Sequence, residues 1–173
     1  SVGLAAIQIA NSVGATPIAT TRTSAKSAAL KAAGATHVIA TAEQDLVAEV
    51  KSMTGGKGAR VVFDPVGGSM VEKLAEAMSP GGLLFVYGLL SMAPTPFPLF
   101  PALQKGLSVR GYTLFEIVQD KARLEPAVAF INKGLESGAL KPIIAKTFPL
   151  DKIVEAHRYL ESNQQFGKIV VTV

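Results

Sequence analysis

Two cations stand among hydroxyls just after a short strand-like run, in Thr20-Thr21-Arg22-Thr23-Ser24-Ala25-Lys26. An acidic residue at this point of a βαβ unit would hold ribose hydroxyls. Here Arg22 offers a planar fork and Lys26 a point charge, which suits a phosphate monoester that a carboxylate would repel. A second anion-binding arrangement opens the chain, where Val2 and Gly3 lead into the apolar run Leu4-Ala5-Ala6-Ile7-Gln8-Ile9-Ala10. Free N–H groups at a helix start favour an anion. Glycine there permits close approach of a pyrophosphate, and equally close packing of helix on sheet. A third turn, Asp64-Pro65-Val66-Gly67-Gly68, follows a β-branched run; its Asp64 serves either a ligand or the turn itself.

The other reactive side chains form no constellation. No residue stands out as a general acid or nucleophile. His37 lies beside a strand-like run, and His157 sits on an amphipathic segment near the C-terminus, where a surface histidine is the ordinary reading. Two distant histidines and no cysteine make no metal site. The net charge of +4 comes from scattered lysines such as Lys31, Lys51, Lys73 and Lys121, without the basic run or interleaved aromatics of a nucleic-acid binder. No apolar run approaches the roughly 18 residues of a membrane span, and no leader-like segment is seen, so a cytoplasmic protein is expected.

The elements that must position these residues alternate in type. The apolar fraction is 49% with only 17% charged residues, which suits a parallel sheet covered on both faces. Helix Val2–Val13 closes at Gly14, and Thr16–Thr20 forms the first visible strand. Ser24 caps an alanine-rich helix ending at Gly34, and strand His37–Ala40 follows. Next come helix Glu43–Met53, strand Arg60–Phe63, helix Met70–Met78, a turn at Ser79-Pro80-Gly81-Gly82, strand Leu83–Tyr87 and strand Leu107–Tyr112. The loop with Pro94, Pro96, Pro98 and Pro101 is too stiff for a helix interior. A helix around Ala127–Glu136, an extended Ile143–Phe148, a helix from Asp151 to Glu161 and a strand Lys168–Val173 complete the chain. Strands joined by helical crossovers predict a Rossmann-like, doubly wound parallel sheet. Five of its strands are visible, and the first, central one is expected to precede Ser1.

The motifs also carry a family resemblance. Ser1-Val2-Gly3-Leu4-Ala5-Ala6-Ile7-Gln8-Ile9-Ala10, Leu30-Lys31-Ala32-Ala33-Gly34-Ala35-Thr36-His37-Val38-Ile39, Thr54-Gly55-Gly56-Lys57-Gly58 and Phe63-Asp64-Pro65-Val66-Gly67-Gly68 come first. Ser79-Pro80-Gly81-Gly82, Val109-Arg110-Gly111-Tyr112, Ala156-His157-Arg158-Tyr159-Leu160-Glu161 and Gly167-Lys168-Ile169-Val170-Val171 follow in order. Together they resemble the cofactor-binding and C-terminal part of medium-chain dehydrogenases/reductases, in the zinc-independent, quinone-oxidoreductase-like branch.

That resemblance implies an incomplete dinucleotide-binding domain over residues 1–141, and a β-α-β tail over 142–173 that returns to a catalytic domain outside the chain. It implies NADPH as cofactor, with Val2 and Gly3 at the pyrophosphate and Arg22 and Lys26 at the 2′-phosphate. Thr41 stands where relatives place an aromatic or histidine contact to the phosphoadenosine end. Val66 and Gly67 would border the nicotinamide ribose, Gly88 and Leu89 the nicotinamide, and Tyr112-Thr113-Leu114-Phe115 the ring or the substrate cleft. The parent enzyme would pass hydride to a quinone or to the β-carbon of an α,β-unsaturated carbonyl, and the isolated chain would be inactive. The resemblance further implies a homodimer through Leu107–Tyr112. Three rivals remain open: a zinc-dependent alcohol dehydrogenase relative, a catalytically silent nucleotide-binding module, and a generic nucleotide binder such as a methyltransferase.

Overall fold

A computed structural model describes residues 2–173. Helices and strands alternate: α1 (Val2–Ser12), β1 (Ile18–Thr21), α2 (Ser27–Ala32), β2 (His37–Ala40), α3 (Leu46–Met53), β3 (Ala59–Asp64), α4 (Met70–Glu76) and β4 (Met78–Val86). They continue as α5 (Leu99–Lys105), β5 (Ser108–Gly111), α6 (Phe115–Val118), α7 (Lys121–Glu136), β6 (Ile144–Pro149), α8 (Ile153–Glu161) and β7 (Lys168–Thr172). Strands pair as β1-β2, β3-β4-β5 and β6-β7, and the last two sheets are parallel. In a doubly wound sheet, β1-β2 and β3-β4-β5 are the pairings that flank the central first strand.

The chain divides into two compact units. One comprises residues 2–19, Ala28–Val38 and Ala129–Val173. Its core is Leu4, Ile7 and Ala35, with Ala19, Leu30, Val38, Ile143 and Phe166 packed against them. The Gln8 amide clasps the backbone of Lys141, donating to its carbonyl at 3.0 Å and accepting from its N–H at 2.8 Å. Asn11 donates to the Gly34 carbonyl at 2.9 Å.

The other unit comprises Thr20–Ser27 and Ile39–Val128. Alternation along its parallel strands sorts side chains to two faces. Val62, Leu84 and Val109 form one row and meet Val71 and Met78 in the core. Phe63, Phe85 and Arg110 form a row on the opposite face. There Tyr87 stacks on Phe63 with centroids 3.8 Å apart.

Several expected elements change form. The turn at 79–82 lies inside β4: Ala59 pairs with Met78 and Val61 with Leu83, so the residues between leave the ladder as a bulge. Arg60 holds it by donating to the Gly81 carbonyl. The proline-rich segment contains α5, because Pro98 is its N-cap residue and Pro101 lies in its first turn, where N–H groups have no helical acceptor. Lys105 at the end of α5 donates to the carbonyls of Glu76 at 2.6 Å, Met78 at 3.0 Å and Ala75 at 3.3 Å, closing the C-terminus of α4. Burial, and then the nearby Lys51 charge, hold the Lys105 ammonium below its ordinary range. Helix α3 starts at Leu46 rather than Glu43, because the Asp45 carboxylate caps it by accepting from Ala48 N–H at 2.8 Å. Helix α7 starts at Lys121 and runs through Pro126. Ser24 caps no helix: it begins a 3-10 turn, Ser24–Lys26, ahead of α2.

Candidate functional site

In an open α/β sheet, ligands sit beyond the carboxyl ends of the strands. At that edge β3 ends in Asp64, which is buried, with 5% of its surface exposed. One carboxylate oxygen accepts from Val66 N–H and the other from Gly67 N–H, each at 2.9 Å. Asp64 therefore acts as the turn residue, and it folds the backbone back so that Gly67 and Gly68 take φ of +67° and +69°. That region is costly for residues bearing a Cβ.

The segment after β4 lies against this turn. Tyr87 N–H donates to Asp64 O, Leu90 N–H to Pro65 O and Ser91 N–H to Val66 O, at 2.9 to 3.1 Å. Thr95 Oγ1 accepts from Gly68 N–H at 2.8 Å. Gly88 is required here because a Cβ would lie 2.6 Å from the Pro65 carbonyl oxygen. Val66 and Gly67 thus have their N–H groups bonded internally. What Val66 presents outward is its partly exposed side chain, and Leu89 stands 61% exposed on the adjoining segment. Burial, and secondarily the Asp64 charge, push the Tyr87 phenol above its ordinary value.

The β1–α2 turn is the second half of the site. Arg22 is exposed and Lys26 half-buried. The loop after β2 is strapped to this turn: Thr41 N–H and hydroxyl both donate to Thr21 O, at 2.8 and 3.2 Å, and Ala42 N–H donates to Arg22 O at 3.0 Å. Thr41 is thus a bridge between the two strand ends. It also lines a groove of about 370 Å³ with Gln44, Lys51, Met70, Lys73 and Glu76. Glu43 completes the strap by accepting from Ser24 N–H at 2.9 Å. Its carboxyl is held below the usual range by bonds from the Ser24 N–H and hydroxyl.

Val2 and Gly3 belong to the other unit. Both are exposed, and nothing lies within 4 Å of where a Gly3 Cβ would stand. The structure thus groups Arg22, Lys26 and Thr41 around one turn, and Val66, Gly67, Gly88 and Leu89 around another. Sequence reasoning missed Glu43, Ser91 and Thr95, whose partners lie 19 to 27 residues away and leave no local spacing signal.

The strand pairings and the glycine turn at the carboxyl edge define the doubly wound, Rossmann-like α/β class. Residues 1–133 match the zinc-binding dehydrogenase family, and the chain belongs to that family. Quinone oxidoreductase 1 of Escherichia coli (strain K12) is 36% identical over 169 residues, which make up 96% of this chain and 52% of that protein. A 2-haloacrylate reductase of Burkholderia sp is 29% identical over 164 residues, 94% of this chain and 49% of that protein. The crystal structure of Escherichia coli quinone oxidoreductase complexed with NADPH superposes with a TM-score of 0.86 at 34% identity, over 98% of this chain and 54% of that one. The chain spans about half the length of the curated relatives it matches. Despite the metal in the family's name, no three His, Cys, Asp or Glu side chains group as metal ligands among the described residues, so these residues do not fit a zinc site. No helix among them is long and apolar enough to cross a membrane.

Proposed function

We propose that this chain is the NADPH-binding part of an oxidoreductase that delivers hydride to a quinone or to the β-carbon of an α,β-unsaturated carbonyl. The observation that carries the reading is the β1–α2 turn, where Arg22 and Lys26 replace a ribose-binding carboxylate, in a chain similar to a quinone oxidoreductase solved with NADPH. When bound, the nicotinamide supplies the hydride. The chain's own residues bind and orient. Arg22 and Lys26 hold the 2′-phosphate, Val2 and Gly3 meet the pyrophosphate, and Thr41 fixes the adenosine-side loop. Val66, Gly67, Gly88 and Leu89 supply a rigid wall by shape and apolar surface, since the N–H groups of Val66 and Gly67 bond to Asp64. A homodimer through Leu107–Tyr112 accords with β5, which pairs with β4 and carries no strand on its other edge among the described residues. A cytoplasmic site of action accords with this cofactor.

The test is cofactor binding by the Arg22→Gln/Lys26→Gln variant. Loss of charge-assisted bonds at this accessible site should weaken NADPH by about 1–2 kcal/mol, roughly 5- to 30-fold, and leave NADH nearly unchanged. Equal loss for both cofactors would remove the phosphate assignment.

A further inference from the structure

The turn that carries Arg22 and Lys26 already holds an anion of the protein's own. Ser24 offers two donors at its centre, the N–H and the hydroxyl, and both are directed to the Glu43 carboxylate. The bond from Ser24 N–H measures 2.9 Å and joins residues 19 apart in sequence. Glu43 is placed by backbone bonds rather than by chance of its side chain: its own N–H donates to Ala40 O at 2.9 Å, and Ala42 N–H donates to Arg22 O at 3.0 Å. The carboxylate is solvent-exposed and buries no core atoms.

We propose that Glu43 sets the cofactor preference of this site by occupying the Ser24 donors that a 2′-phosphate would use. The inference rests on the phosphate reading of Arg22 and Lys26 and extends it. A phosphate monoester carries between one and two negative charges near neutral pH and takes several donors. On this turn it meets two favourable cations and one unfavourable carboxylate that holds the central donors. Glu43 either swings away when the phosphate binds or repels it. A ribose bearing a free 2′-hydroxyl meets no such conflict, because a hydroxyl donates to a carboxylate. The site is therefore balanced, and its preference for the phosphorylated dinucleotide is lower than its cations alone would give.

The experiment is titration calorimetry on the full chain with NADPH, NADH, adenosine 2′,5′-bisphosphate and adenosine 5′-monophosphate. Glu43→Gln keeps an acceptor for Ser24 and removes the charge; Glu43→Ala removes both. With the carboxylate gone, NADPH and adenosine 2′,5′-bisphosphate should bind about 2- to 5-fold tighter, the upper range of one exposed like-charge contact. NADH and adenosine 5′-monophosphate should change less than about twofold on the same scale. The gain should shrink at high salt, which screens exposed charges but does not touch a packing effect. Equal shifts for all four ligands, or no tightening of the two 2′-phosphorylated ones, overturns the role of Glu43. The Arg22→Gln/Lys26→Gln variant run in parallel separates the two ideas. If it weakens the 2′-phosphorylated ligands while Glu43→Gln changes nothing, the phosphate reading stands and the Glu43 proposal alone falls. If it shows no selectivity, both fall.

Discussion

Replacing Asp64 by alanine tests whether the glycine turn at the sheet edge is held by one side chain. The carboxylate accepts from two backbone N–H groups at 2.9 Å, one half-buried at Val66 and one buried at Gly67. A buried donor left without its acceptor costs about 1–3 kcal/mol, and a half-buried one recovers part of that from water. The sum for Asp64→Ala is about 2–4 kcal/mol. Asp64→Asn keeps one carbonyl acceptor but turns an NH₂ group toward the second N–H, so about half that loss is expected. Urea unfolding followed by tyrosine absorbance reads the effect, with a midpoint shift of about 1–2 M for an m-value near 2 kcal/mol/M. Because the chain has two units, the local readout matters more. Amide exchange at Gly67 and Gly68 should accelerate in the alanine variant while that of the β3-β4 ladder is less affected. A loss below about 0.5 kcal/mol with unchanged exchange at Gly67 would show that the turn is held by its contacts to residues 90–95 instead.

Two further outcomes follow from the same edge. Gly88→Ala places a Cβ 2.6 Å from the Pro65 carbonyl and should destabilise by about 1–3 kcal/mol, as overpacking does. Gly111→Ala meets nothing within 4 Å and should be near neutral in the same melting experiment; equal effects would refute the close approach. Tyr87 should titrate above the ordinary tyrosine value, in absorbance at 295 nm, and Tyr87→Phe should delete that late phase. Its folded-state pKa is raised, so this contribution to stability is complete below about pH 10 and is lost as pH rises through the folded value. A Tyr87→Phe variant with an unchanged titration curve would count against it.

Elements marked by local pattern were legible in the sequence. The run His37–Ala40 is β2 as read, because β-branched residues bounded by Gly34 and a polar loop leave few other choices. Prolines misled where position mattered more than type. Pro98 and Pro101 suggest a stiff loop, yet both stand where a helix start needs no N–H. The helix read around Ala127–Glu136 begins earlier, at Lys121, and contains Pro126; Asp120 accepts from Ala122 N–H at 3.0 Å just ahead of it. Ser24 has the composition of a helix cap, but its donors go to Glu43, which no short-range rule connects to it. The cations of the site were visible as residue types. The carboxylate opposing them was not, since only the pairing of β1 with β2 brings it there.

The clasp between Gln8 and Lys141 has a consequence for how the chain is made. Its partners are 133 residues apart, and the unit they close draws on both ends of the sequence. The β3-β4-β5 sheet, by contrast, lies wholly within residues 59–111. Sequence-local topology forms early, and distant closure waits for loop entropy to be overcome. During synthesis the middle of this chain therefore becomes able to fold first. Helix α1 lies far ahead of its late partners in the chain: Gln8 waits for Lys141, and the cluster of Leu4, Ile7 and Ala35 waits for Ile143 and Phe166. Until those segments emerge, the apolar face of α1 stays open to water.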